Sequence, residues 1–182
     1  MGIAWFARTD PLAPERLTLK AKTPHGDRYF DVRLDTSQLQ GQVDLQVQEA
    51  QISSNGRFVV GTFGITFGID KTNYLTATQV FDLDGGRSGL LEAGAQRRFT
   101  ENGEALVYQD TDGRLSFLGA TADATWTSDG DEGVLLAEKK FAANGWGWWT
   151  SAADAPVVLA YDRAAARLRV FDYSDLANGH VR

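Results

Sequence analysis

The stretch ISSNGRFVV at residues 52–60 is the most informative part of the chain, because its pattern returns as FTENGEALV at residues 99–107 and as WTSDGDEGV at residues 126–134. Each copy has one large apolar residue, two small or polar residues, an Asn-Gly or Asp-Gly turn, and a strand-like run. A unit of this size is too small to bury its own apolar face, so repetition predicts several units packed together. The pattern favours an all-β repeat architecture and says little about chemistry.

Turn signals divide the rest of the chain into strands. Apolar and polar residues alternate from residue 17 onward, and the TPHGD sequence at residues 23–27 predicts a hairpin between the first two strands of this kind. The segments 110–113 and 162–167 each lie between two apolar runs and predict two further hairpins. We therefore expect a single all-β repeat domain over residues 1–182, in which residues 1–16 form an irregular initial segment.

The run from residue 59 to residue 69 has an unusual composition for a strand. Phe63, Ile65 and Phe67 fall on one face, while threonine and glycine alternate on the other. Glycine weakens a strand but lets another backbone or a ligand approach closely. The run is interpreted either as a central strand that packs tightly under its neighbour or as the floor of a groove.

The ends of the repeated units also resemble each other. Residues 80–83 read VFDL and residues 170–173 read VFDY. Together with the Asn-Gly and Asp-Gly turns, this pattern resembles the blades of WD40-like or TolB-like β-propellers over residues 46–173. The resemblance implies a small or incomplete propeller-like arrangement of about four blades, since a full blade takes 40 to 45 residues. The alternative fold is a β-sandwich or a closed barrel.

Composition excludes several functions. The 182 residues carry a formal net charge of −6, which disfavours nucleic acid and anionic membrane surfaces as partners. The chain has no cysteine, so disulfides, thiolate nucleophiles and cysteine-ligated metals are excluded. The longest apolar run is too short to span a bilayer, so no membrane insertion is expected. We expect a cytoplasmic protein, or a periplasmic one if a leader has been removed.

The residues that carry chemistry show no catalytic arrangement. The two histidines, His25 and His180, lie outside metal-ligand spacings, and no phosphate-binding loop is present. The acidic turns do not match a calcium loop. We therefore expect neither a metal site nor a cofactor, and we do not expect an enzyme. Sequence does not show how far apart carboxylates lie, so a hydrolase with two carboxylates is kept as the last alternative.

Three segments are candidates for a binding surface. The first is NGWGWWT at residues 144–150, because tryptophan buries much area at low entropic cost. In a regular strand, Trp146 and Trp148 share one face and Trp149 takes the other, so at least one ring is expected to face away from the core. The second is an acidic turn at residues 129–132, and the third is the segment 61–74. The predicted partner-binding residues are Trp146, Trp148, Trp149, Asp129, Asp131, Glu132, Phe67 and Tyr74.

These features predict a protein-binding module. A small, acidic, cysteine-free all-β chain without a catalytic constellation looks similar to small bacterial immunity proteins, some of which are propeller-like. That resemblance implies an inhibitor of a toxin–antitoxin type that caps the active site of a toxic enzyme, its protein partner being a bacterial effector or toxin. The alternative from a different class is a lectin-like, carbohydrate-binding module that uses the tryptophans.

Overall fold

The computed structural model describes residues 3–8, 12–13, 16–23, 26–32, 39–91, 96–110, 112–120, 136–141 and 145–182. Within these ranges the chain is all-β, with one short 3₁₀-helix at Leu176–Asn178 and no α-helix. No helix in this part of the chain is long and apolar enough to cross a membrane. The strands are β1 Ile3–Ala7, β2 Thr18–Thr23, β3 Gly26–Asp31, β4 Gln42–Ile52, β5 Phe58–Gly68, β6 Asn73–Asp82, β7 Arg87–Leu91, β8 Gln96–Phe99, β9 Ala105–Gln109, β10 Leu115–Ala120, β11 Leu136–Lys140, β12 Trp146–Ser151, β13 Val157–Asp162 and β14 Arg167–Asp172.

These strands form four antiparallel sheets, and each sheet is built from strands that follow one another along the chain. Their orders are β1–β2–β3, β4–β5–β6–β7, β8–β9–β10–β11 and β12–β13–β14. Short turns allow only antiparallel neighbours, so each sheet is a meander. None of the four sheets closes into a barrel within the described ranges, so the barrel alternative is wrong for this part of the chain.

Two compact units account for these sheets, one comprising residues 1–52 and 56–91 and the other comprising residues 53–55 and 92–182. The interpretation of residues 1–182 as a single domain stays a prediction. The first unit contains sheets β1–β3 and β4–β7, and its core joins Leu19 and Ala21 of β2 to Phe63 and Phe81. The second unit contains the other two sheets, described below.

The initial segment is more regular than the sequence predicts. Residues 3–7 form β1, which pairs with β2 along its whole length. Phe6 explains this, because its ring packs edge-on against Phe63, with 5.1 Å between ring centroids, and at a tilt against Phe81, with 5.9 Å between centroids. The expectation of an irregular segment over residues 1–16 is therefore wrong for β1.

The second unit is organised around a cluster of aromatic rings. Phe171 lies 4.6 Å from Phe141 and 5.5 Å from both Phe117 and Trp146, between ring centroids. Val158 and Ala160 of β13 are completely buried in the same cluster. Burial of aromatic rings contributes strongly to a core of this size.

The predicted hairpins are confirmed. The β2–β3, β9–β10 and β13–β14 pairs each form across the turn that the sequence indicates. Two of the repeated turns have matching geometry, since Gly56 and Gly103 adopt φ values of 73° and 74°. The hydroxyls preceding them, on Ser53 and Thr100, lie 2.7 and 2.8 Å from the following asparagine Oδ1. The third copy, at residues 126–134, lies outside the described residues.

A buried aspartate lies at the end of a strand, or directly after it, in three of the sheets. The Asp82 carboxylate accepts hydrogen bonds from Arg57 Nε and Nη2, at 3.0 and 3.1 Å, and from the Gly85 N–H. Asp110 and Asp162 likewise accept a backbone N–H from the hairpin turn that follows them. Short polar side chains that accept turn N–H groups stabilise the hairpin locally. These aspartates therefore have a structural role in the turns.

Candidate functional site

The tryptophan segment is a bulged edge strand. In β12, Trp146 lies opposite Asp162 of β13, but Trp149 lies opposite Ala160, so the register shifts between the two tryptophans. A bulge of this kind adds a residue and changes the face on which later side chains lie. The prediction that Trp146 and Trp148 share a face is therefore wrong: Trp146 and Trp149 pack against the core and Trp148 lies on the other side.

Position 147 leaves little room for a side chain at this bulge. A Cβ on Gly147 would lie 3.0 Å from Arg163 Nε and 3.1 Å from Tyr161 Cδ1, closer than most real Cβ contacts. The absence of a side chain lets Tyr161 of β13 and Arg163 of the following turn approach the bulge, and Gly145 before it has a φ of 62°. The two glycines around Trp146 thus shape the segment locally.

One face of sheet β12–β14, here called the packed face, is formed by Trp146, Val158, Ala160 and Phe171. Trp146 is only 3% exposed. The Arg169 guanidinium lies over the Trp146 and Phe171 rings, 5.6 and 5.2 Å from their centroids. This face is committed to the core of the second unit, so Trp146 is a structural residue.

The opposite face, here called the open face, is formed by Trp148, Leu159, Tyr161, Leu168 and Val170. Trp148 is 49% exposed and stacks on Tyr161, with 6.4 Å between ring centroids and 16° between planes. Leu168 lies opposite Tyr161 and Val170 lies opposite Leu159 in the β13–β14 ladder. Leu168 and Val170 are 53% and 63% exposed. A contiguous exposed patch of this kind is typical of an interaction surface.

The charges around the open face are unevenly placed. Arg163 and Arg167 are exposed at the β13–β14 turn. Asp172 lies at the other end of β14, where the Ser174 N–H donates to its Oδ1 at 2.9 Å and holds the pKa of the carboxyl below its ordinary value. The turn end of the patch is therefore basic, although the chain as a whole is acidic.

Tyr173 connects the end of this sheet to a repeated turn of the same unit. Its hydroxyl donates to Asn102 Oδ1 at 2.9 Å. Burial raises the pKa of the Tyr173 phenol above its ordinary value, because the phenolate would lose its water. The second unit therefore holds this tyrosine in its neutral form.

The predicted residues on β5 and β6 do not form one surface. Phe67 lies opposite Asn73, and Thr66 lies opposite Tyr74, so Phe67 and Tyr74 lie on opposite faces of the β5–β6 ladder. Tyr74 is 52% exposed, and its hydroxyl is hydrogen-bonded to the Gln48 amide. The side chains of Tyr74 and Gln48 lie against Gly64, where a Cβ would lie 2.9 Å from the tyrosine hydroxyl.

This geometry favours one of the two interpretations of the 59–69 run. β5 pairs with β4 on one side and β6 on the other along its length. The glycine at position 64 is covered by side chains of both neighbours. The 59–69 run is therefore a central strand of its sheet, packed closely against its neighbours.

The predicted acidic turn falls outside the described residues, which leave out residues 121–135. Asp129, Asp131 and Glu132 stay predictions. Within the described residues no group of three or more His, Asp or Glu side chains is placed to hold a metal ion. The buried carboxylates Asp82, Asp110 and Asp162 belong to separate hairpin turns.

Leu168 and Val170 are not among the binding residues that the sequence predicts. Both alternate with arginine in RLRVF at residues 167–171, which is the pattern of a strand with one apolar face. The pattern alone does not show whether that face is buried, and here the core lies on the Phe171 side.

Comparison with known proteins does not assign the chain to a family. No protein-family model matches it, and a search of curated proteins finds no significant match.

Proposed function

We propose that the chain is a protein-binding module that acts as an inhibitor or immunity protein for a toxic bacterial enzyme. The observation that carries the proposal is the open face, where an exposed tryptophan is stacked on a tyrosine and continues into two exposed aliphatic residues. Stacking holds Trp148 in place before binding, which lowers the entropy that a partner must remove. Tryptophan and tyrosine are enriched at interface hot spots.

Net charge supports a basic protein as the partner. A chain of net charge −6 attracts a basic protein and speeds its capture. Toxic enzymes that act on nucleic acid carry basic surfaces for the same electrostatic reason. We propose that the inhibitor acts in the bacterial cytoplasm by covering the active site of such an enzyme.

We also propose that the four sheets are arranged as a small propeller. Four successive antiparallel meanders are what a small propeller-like arrangement of four blades would contain. The matching turns at Gly56 and Gly103 and the three strand-ending aspartates support a repeat origin. A crystal structure with the sheets arranged radially about one axis would support the propeller, and two sheets stacked face to face would support the sandwich.

The experiment that tests the function starts with capture and ends with inhibition. The tagged chain is used to purify partners from the native organism, and the most stoichiometric protein is then produced separately. We expect one partner that binds in a salt-sensitive manner and loses its enzymatic activity when one equivalent of the chain is added. A partner that retains full activity in the saturated complex would contradict the inhibitor role.

A carbohydrate-binding function is the second candidate, favoured by the exposure of Trp148. A sugar ring can stack on an exposed indole, and neighbouring polar side chains can bind its hydroxyls. A glycan array together with tryptophan fluorescence tests this function. A sugar that changes the fluorescence of the wild type but not of Trp148→Phe would favour the lectin-like alternative.

A further inference from the structure

The outer edge of β14 is partly occupied by the chain itself. Asp172 and Arg182 exchange two backbone hydrogen bonds, both 2.9 Å long. The next residue, Tyr173, donates its N–H to the Pro156 C=O on the β13 side, so Asp172 and Val157 form a non-hydrogen-bonded pair and the N–H and C=O of Asp172 point away from β13. Backbone groups alternate in direction along an antiparallel strand. The N–H and C=O groups of Val170 and Leu168 therefore point to the same outer edge as those of Asp172.

In the part of the chain that the structure describes, no segment other than Arg182 pairs with this edge. Among the described residues, Asp172 is the only member of β14 that makes backbone hydrogen bonds to a segment other than β13. Val170 and Leu168 combine outward-pointing backbone groups with exposed aliphatic side chains on the open face. A strand edge with these properties is a template for another strand.

Another edge of the protein is protected by contrast. β4 is the edge of its sheet, and a bulge interrupts its pairing between Val47 and Glu49. Its exposed positions include Gln46, Gln48 and Glu49. Bulges and polar side chains prevent edge-to-edge pairing. The β13–β14 ladder has no register shift, and Leu168 and Val170 give its edge an apolar side.

The arginines of β14 and its turn indicate which kind of strand would fit against this edge. Arg167 and Arg169 alternate with Leu168 and Val170, so they lie on the other side of the same edge. A second copy of the chain that paired Leu168 with Val170 in antiparallel fashion would set Arg169 opposite its own counterpart. Each Arg169 lies 3.8 Å from Asp162 of its own chain, but like charges directly opposite each other are still destabilising. A strand with acidic residues at alternate positions avoids this repulsion and complements Arg163 and Arg167.

We infer that β14 accepts an extended segment of the partner protein as an added strand, with apolar residues beside Leu168 and Val170 and acidic residues on the arginine side. This inference rests on the proposed protein-binding function and names the form that the bound segment takes. Main-chain hydrogen bonds supply affinity in such strand addition, and alternate side chains supply specificity. The acidic segment is a local feature of a partner that is basic elsewhere.

The test uses synthetic peptides and the whole chain. The probe is an end-capped eight-residue peptide that alternates valine with glutamate, and the controls alternate valine with lysine or carry a central proline in the valine–glutamate peptide. We expect the valine–glutamate peptide to bind at least tenfold more tightly than either control. We also expect it to slow hydrogen exchange at the Leu168 and Val170 amides at least tenfold.

One variant removes a hydrogen-bond donor from the edge with little other change, and a second variant serves as its control. Val170→Pro removes an N–H that points away from β13, a position where a strand edge tolerates proline, and we expect it to lose peptide binding at least tenfold. Val170→Thr keeps the N–H and the branched shape, and we expect it to bind within threefold of the wild type. If Val170→Pro does not fold, amide protection in the wild type provides the test.

The outcomes separate this inference from the proposed function. Equal binding of the acidic and basic peptides, or unprotected Leu168 and Val170 amides in the bound state, would overturn strand addition. A partner enzyme that is inhibited while these amides stay unprotected would overturn strand addition and leave the inhibitor role standing. Protection by the acidic peptide without any inhibited enzyme would support the edge and contradict the inhibitor role.

Discussion

The two faces of sheet β12–β14 place the same residue type, tryptophan, in different environments. Trp146 is buried on the packed face among Val158, Ala160 and Phe171, while Trp148, two residues later, lies half-exposed on the open face. A single bulge separates the two environments. The comparison teaches that tryptophan clustering in a sequence does not define one site: one ring stabilises the fold and another is available for binding.

The largest expected effect is on the packed face. Trp146→Ala should lower the free energy of unfolding by about 3–5 kcal/mol, because it leaves a large cavity beside Phe171 and Arg169. Urea unfolding followed by circular dichroism measures this loss. A loss below about 1 kcal/mol would remove the distinction between the two faces.

A smaller loss is expected at the turn end of the packed face. Asp162 is buried, and its Oδ1 accepts the Ala165 N–H at 3.0 Å while Arg169 lies 3.8 Å from its Oδ2. Asp162→Ala should destabilise the chain by about 1.5–3 kcal/mol, because these groups lose a charged acceptor. Asp162→Asn keeps an oxygen for the turn and should cost about half as much. Equal losses would show that the charge is what matters.

Tyr173 tests the same face through pH. Tyr173→Phe removes the hydrogen bond to Asn102 and should cost about 1 kcal/mol at neutral pH. Because burial raises the pKa of Tyr173 in the folded state, its contribution is fully present below the unfolded value near 10.0 and is lost as pH rises through the folded value. The wild type should therefore lose stability above pH 10 more steeply than Tyr173→Phe. Parallel alkaline limbs in urea titrations would contradict this assignment.

The open face should contribute little to stability. Trp148→Ala and Leu168→Ser should each change the free energy of unfolding by less than about 1 kcal/mol, because about half of each residue is already exposed to water. The same urea experiment provides the comparison with Trp146→Ala. A loss near that of Trp146→Ala would mean that Trp148 is a core residue.

The smallest effect is expected at the far end of β14. The Ser174 N–H lowers the pKa of Asp172, so the contribution of this carboxylate is present above about pH 4 and is lost as pH falls through its lower folded value. Asp172→Asn should reduce the slope of stability against pH only in this acid range. An altered slope at neutral pH would point to a different group.

Local chemistry accounts for what the sequence could predict. The turns at 110–113 and 162–167 specify their hairpins through an aspartate that accepts turn N–H groups, and both predictions are confirmed. β1 could not be predicted from its five residues, because it depends on contacts of Phe6 with rings far along the chain. Long-range packing overrides weak local preference in such short strands.

The candidate surface was less predictable. The sequence pointed to Trp148, but the faces of β12 depend on a bulge between Trp146 and Trp149, next to which Tyr161 and Arg163 lie close to Gly147. Leu168 and Val170 have the alternation of a buried strand face, and only the position of the core shows that they are exposed. The acidic residues Asp129, Asp131 and Glu132 stay a prediction.

The most direct test of the central claim, that the open face binds the partner, is the dissociation constant of the partner complex for two matched variants. Trp148→Ala removes the exposed ring of the open face, and Tyr29→Ala removes another exposed aromatic ring, on β3. Isothermal titration calorimetry should show that Trp148→Ala weakens binding by about 30-fold or more, the effect of a hot-spot residue, while Tyr29→Ala stays within threefold of the wild type. Wild-type affinity for Trp148→Ala, with its fold intact, would contradict the claim.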